Sequence, residues 1–195
     1  MGAVDLDCNP AQKTVPTGVT QVTNPNAHLL CWTASSPSAA NTVVVSNQFG
    51  SATLRTGAAT QLCLPSWSDT APRSHTPTAP PDLSHFACYT AGYAPGSVPF
   101  KFPSSVRVRD QFSSKPVRVN VGAPKLLCLP TTKIVNGQTF PALDPQAHLL
   151  CYSVAPAAAK HTVYDQDQFG AGRVQTSKSA DLCVPTSKVV VPPTG

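Results

Sequence analysis

The residues best placed to do chemistry are seven cysteines, and they fall into two classes. Cys8, Cys63, Cys128 and Cys183 each stand in a Cys-x-Pro context, while Cys31, Cys88 and Cys151 each follow a histidine by three positions (His28, His85, His148). One cysteine of each class per repeat points to one disulfide per repeat. Two pairings respect that pattern. Pairing Cys8–Cys31, Cys63–Cys88 and Cys128–Cys151 leaves Cys183 unpaired or free to bond another chain; pairing Cys31–Cys63, Cys88–Cys128 and Cys151–Cys183 leaves Cys8 over. The first spans intervals of 23, 25 and 23 residues, whereas the second interval varies by eight, so the first is the expected scheme. Closing each such loop would stabilise its unit by roughly 3 kcal/mol. The unpaired end would then favour covalent dimers.

Zinc is the rival chemistry for a repeated His-x-x-Cys, but a tetrahedral site needs four ligands and no Cys-x-x-Cys pair occurs. On a strand, positions i and i+3 also face opposite ways. No metal or other cofactor is expected. Nucleophilic and phosphate-binding motifs are missing, and nine scattered carboxylates pick out no catalytic pair, so no enzymatic activity is expected. Asp165 and Asp167 form the densest acidic spot; between a calcium site and a solvated turn, the turn is the reading adopted. Arg107 and Arg109 would share one strand face, near Lys115, Arg118 and Lys125. They are candidate contacts for an acidic glycan, set against a plain solvent-facing strand. Trp32, Tyr89 and Tyr152 occupy one repeated position beside a cysteine; they would stack on sugar rings if outward, or pack on the disulfide if inward.

These residues recur because the chain is a threefold repeat. After each His-x-x-Cys comes an Asx-Gln-Phe turn, Asn47-Gln48-Phe49-Gly50, Asp110-Gln111-Phe112-Ser113 or Asp167-Gln168-Phe169-Gly170. A closing Leu-Cys-x-Pro follows each, and the same motif opens the next unit. Units span 1–65, 66–130 and 131–195. The second is lengthened by eight residues, six of them in a loop around Tyr93–Phe100, and Ala71–Pro81 reads as a Pro-stiffened loop of that unit, not a linker. Runs such as Thr42–Val45, Ser105–Arg109 and His161–Tyr164 are β-branched and alternate, so they are strands. The expected fold is all-β: three tandem antiparallel repeats of about 55–65 residues, each with one disulfide, either stacked or closed on one another. Phe49, Phe112 and Phe169 are expected as equivalent core anchors, each beneath its own unit.

No apolar run reaches the ~18 residues of a membrane helix, and no helical period persists over three turns. The net charge of +5 comes without basic tracts that would point to nucleic acid. Met1-Gly2 running straight into a partial repeat reads as a chain begun inside a longer one. The string His148-Leu-Leu-Cys-Tyr152, Asp167-Gln-Phe-Gly170, Leu182-Cys-Val-Pro185 and Lys188 resembles an uncharacterised tandem module of secreted and surface proteins of bacteria and some archaea. Unit two departs from it in His85-Phe-Ala-Cys88, in Ser113, and in having no lysine after Pro65. The resemblance implies export and a β-repeat fold but no activity. A non-catalytic extracellular or cell-surface module, structural or adhesive and able to self-associate, is the expected function; a carbohydrate-binding module is the alternative.

Overall fold

The alternating runs do become strands, and most join one sheet. The computed structural model describes residues 2–38, 40–72, 80–155 and 160–192, and among them there is no helix. In chain order the strands are β1 (Val4–Cys8), β2 (Gln12–Val15), β3 (Gly18–Thr20), β4 (His28–Thr33), β5 (Thr42–Asn47), β6 (Gly50–Asp69), β7 (His85–Tyr93) and β8 (Val106–Arg109). There follow β9 (Val117–Val119), β10 (Val121–Thr131), β11 (Lys133–Val135), β12 (Gln138–Phe140), β13 (His148–Val154), β14 (Thr162–Asp167), β15 (Gly170–Gln175) and β16 (Asp181–Val190). Ten form the main sheet, β3-β2-β8-β9 form a second, and β11-β12 a third. The Ala71–Pro81 loop lies largely outside the described residues.

Within every unit the His-x-x-Cys strand pairs antiparallel with the closing strand: β4 with β6, β7 with β10, β13 with β16. Each closing strand then pairs with the opening strand of the next unit, β6 with β7 and β10 with β13. The long β6 also takes β5, and β5 takes the end of β16, so hydrogen bonding closes a ring of six strands, β5-β6-β7-β10-β13-β16. The main core draws on all six, through Val43, Val45, Ala52, Leu54, Ala91, Leu127, Leu150, Tyr152 and Val184. The sheet is therefore continuous across the repeats, and β6 runs through the expected boundary at 65/66.

Turn chemistry explains why unit two differs. Asn47 and Asp167 each accept the N–H of the phenylalanine two residues on, at 2.9 and 2.7 Å, and Gly50 and Gly170 follow with positive φ. An Asx-bonded turn followed by a glycine in a positive-φ conformation reverses the chain, and Asn47 opposes Gly50 as Asp167 opposes Gly170. Asp110 makes the same bond to Phe112, at 2.9 Å, but Ser113 stands where glycine would be. The chain there takes a longer connection between β8 and β9. Beyond Tyr93, the last residue of β7, the added tract is a loop, as its composition suggests, and it also delivers Phe100, 7% exposed, into the core beside Phe102.

The three phenylalanines are not equivalent, which corrects that expectation. Phe49 is buried, Phe112 is half-buried and stacked on His161 at 4.5 Å, and Phe169 is 41% exposed. Nor does each sit beneath its own unit. Phe49 meets the ring of Tyr152 in unit three edge-on at 5.5 Å, and Phe169 meets Trp32 of unit one edge-on at 5.7 Å. The turns of the first and third units thus set their phenylalanines against each other's rings.

Candidate functional site

The cysteines lie in a row across consecutive strands, β1, β4, β6, β7, β10, β13 and β16. The bonds are Cys31–Cys63, Cys88–Cys128 and Cys151–Cys183, and Cys8 keeps its thiol. This is the second of the two repeat-compatible schemes, so Cys183 is bonded and the expectation of a free Cys183 is corrected. Register is the reason. Within a unit the two cysteines are directly opposed, with Cα atoms 3.8–3.9 Å apart. Between units they are offset by two residues: Cys8 opposes Leu29, Cys63 opposes Phe86, and Cys128 opposes Leu149. An offset of two keeps the side chains on one face but makes them diagonal neighbours, whose β-carbons normally stand too far apart to be bridged.

The diagonal sulfurs nonetheless touch. Cys8 Sγ is 3.9 Å from Cys31 Sγ, Cys63 Sγ is 3.6 Å from Cys88 Sγ, and Cys128 Sγ is 4.0 Å from Cys151 Sγ. These gaps are van der Waals contacts between side chains of neighbouring strands. All seven sulfurs line one apolar cavity of about 30 Å³, with Leu6, Leu29, Phe86, Leu126 and Leu149 around them. The histidine of each His-x-x-Cys points away from this face. His28 Nδ1 bonds Asn9 Oδ1 at 2.8 Å, and His85 Nε2 lies 3.0 Å from Lys133 Nζ. Among the described residues no three His, Cys, Asp or Glu side chains converge as metal ligands.

A family model described as "Repeat of unknown function (DUF7450)" matches residues 29–185, most of the chain. The chain belongs to that family. No curated protein matches it, and no solved structure does.

In this DUF7450 chain the repeated aromatic position serves packing in at least one unit. Tyr152 is fully buried among Phe49, Phe100 and Phe102, and its hydroxyl accepts a 2.8 Å bond from Asn47 Nδ2. Trp32 is half-buried and donates Nε1–H to Asp167 Oδ2 at 2.8 Å. The ring of unit three thus meets the turn of unit one, and the ring of unit one meets the turn of unit three. Tyr89 is half-buried on β7. Beside Trp32 a cleft of about 140 Å³ is lined by Leu30, Phe169, Asp165 and Arg173. Arg107 and Arg109 are exposed on one face of β8, and Arg107 directly opposes Arg118 of β9. Gln12 and Thr14 of β2 flank them, and none of the three guanidinium groups has a carboxylate partner among the described residues.

Two features escaped the sequence reading. Lys13 and Lys133, the lysines after the Cys-x-Pro motifs, are buried with their ammonium groups over Phe49 and Phe140, at 5.6 and 4.8 Å from the ring centres. The repeated lysine is the signal that could have found them. The other is an acidic pair. Burial pushes the Asp7 carboxyl up to about 7, helped by Asp165 and Asp110 and opposed by a bond from Asn9. Asp165 opposes Ser68 on β6, and burial lifts it to about 6, with Asp167 adding to this and the Ser68 hydroxyl drawing it back. Nothing in the sequence brings residue 7 to residue 165.

The acidic pair predicts a pH dependence. Its folded pKa values lie above the unfolded 3.8, so its contribution is complete below about pH 4 and is lost as pH rises through about 7. The Asp7 shift alone corresponds to about 4 kcal/mol. Burial lowers His28, His85 and His148, which act oppositely, losing stability as pH falls below about 6.5. The test is therefore the difference between wild type and Asp7→Asn in urea denaturation. The variant should match wild type near pH 4 and exceed it by about 2–4 kcal/mol at pH 8. A constant difference across that range would refute the assignment.

Proposed function

We propose that this chain is a non-catalytic extracellular module with a structural or adhesive role in a larger surface assembly. The observation that supports it best is the sulfur face. Three disulfides join directly opposed strands of one continuous sheet, and such bonds persist in oxidising compartments. The exchange of rings and turns between the first and third units adds to the case. It ties chain ends together and uses the repeated aromatics for packing, where a lectin would present them.

A second reading draws on Arg107, Arg109 and Arg118. Like charges directly opposed on a sheet are unfavourable unless an anion lies between them, so an acidic polysaccharide is the adhesive ligand this face would take. A glycan array with neutral and acidic polysaccharides separates the readings. The structural role expects no saturable binding. Salt-sensitive binding to acidic glycans, lost in Arg107→Ser/Arg118→Ser, would establish the second reading. Saturable binding to a neutral sugar, lost in Trp32→Ala, would overturn both in favour of a lectin.

A further inference from the structure

We propose that the seven-sulfur row is a thiol–disulfide exchange relay, able to hold either of two complete disulfide sets and to carry the free thiol from Cys8 to Cys183. The geometry supplies every step. Bonded and touching sulfur pairs alternate without a gap: Cys8 touches Cys31, which bonds Cys63; Cys63 touches Cys88, which bonds Cys128; Cys128 touches Cys151, which bonds Cys183. All seven lie around a single apolar cavity.

The chemistry balances without any oxidant. Cys8 thiolate attacks Cys31 Sγ, the Cys8–Cys31 bond forms, and the Cys31–Cys63 bond breaks with its electron pair leaving on Cys63. That thiolate attacks Cys88 and releases Cys128, and Cys128 attacks Cys151 and releases Cys183. The proton lost from Cys8 is matched by one taken up at Cys183. Three disulfides and one thiol stand at both ends of the sequence of steps. Each step must close a contact of 3.6–4.0 Å to the ~2.0 Å of a bond, and because the pairs are diagonal the backbone must shift to bring their β-carbons within reach. The product has the pairing Cys8–Cys31, Cys63–Cys88 and Cys128–Cys151, the other scheme that the repeat permits.

The relay has a built-in brake. Burial, with Asp7, Asp181 and Asp5 nearby, pushes the Cys8 thiol up to about 12, so little of the attacking thiolate exists near neutrality. Exchange should therefore quicken about tenfold per pH unit below that value. The consequence for the module is that its reactive thiol has two addresses, on β1 at one end of the row and on β16 at the other. A disulfide on a partner or a small disulfide exchanges with it at either end, its other sulfur leaving as the thiolate.

Cys183→Ser gives the most direct test, because six cysteines then remain and only the alternative set can bond them all. Thiol counting in denaturant should find none free, and acidic non-reducing peptide mapping should show Cys8–Cys31, Cys63–Cys88 and Cys128–Cys151. Two free thiols at Cys8 and Cys151 would overturn the relay. Wild type supplies an independent measurement should that variant not fold. It is held folded at pH 9, quenched in acid, then alkylated in denaturant. Label should begin on Cys8 and spread to Cys183, while Cys8→Ser takes up none. Label confined to Cys8, or scattered evenly over all seven cysteines as unfolding would give, refutes the proposal.

Discussion

Replacing Cys88 and Cys128 together by alanine should lower the melting temperature by about 8–16 °C, the largest effect expected of any pair in this chain. The bond closes the longest loop of the three, with a sequence separation of 40. In the chain-entropy account a loop of that length is worth about 4 kcal/mol, a large part of the 5–15 kcal/mol by which domains are ordinarily stable. It also joins β7 to β10, the central pair of the sulfur row, with Cys88 and Cys128 buried between the flanking disulfides. Alanine is preferred to serine here because a hydroxyl on this apolar face would lack a partner. Thermal melts by circular dichroism under non-reducing conditions measure it. A fall of less than about 3 °C, near 1 kcal/mol, would mean that strand pairing alone holds the register.

Tyr152→Ala should cost about 3–5 kcal/mol in chemical denaturation, while Phe169→Ala costs about 1 kcal/mol or less. Tyr152 has no exposed surface and meets Phe49, Phe100 and Phe102 edge-on at 5.3–5.5 Å, so truncation empties the centre of the core. Phe169 loses only its contact with Trp32 and already faces solvent in part. Tyr152→Phe isolates the hydroxyl: it removes the acceptor for Asn47 Nδ2 and should cost about 1 kcal/mol. Equal losses at Tyr152 and Phe169 would show that the two ring-and-turn contacts are energetically alike, against the burial difference.

Much of the architecture is local and therefore legible in the chain itself. Period-two alternation marks Thr42–Val45 and His161–Tyr164 as strands because each such residue faces alternately core and solvent. Asn47, Asp110 and Asp167 announce turns because an Asx side chain can bond the N–H two residues ahead within its own segment. Two classes of cysteine in fixed alternation imply a repeated disulfide, and a repeated disulfide there is.

Which cysteines pair is a different kind of fact. Loop lengths of 23, 25 and 23 favour one scheme only if entropy decides, whereas the bond is decided by which strands lie opposed and at what offset. A shift of two residues leaves every side chain on the same face, so the hydrophobic pattern reads alike for Cys63 opposite Phe86 and for Cys63 opposite Cys31. The same limit applies to the phenylalanines. Their motif sets the turn, but burial depends on which neighbour the ring meets: Phe49 is buried against Tyr152 of unit three, while Phe169 meets Trp32 of unit one and stays 41% exposed. Asp7 and Asp165 meet only because β14 pairs with the far end of β6. The repeats by themselves determined strands, turns and the existence of the sulfur bonds; the closing of the sheet decided their partners, because pairing, burial and raised pKa values are properties of what lies across a strand and not along it.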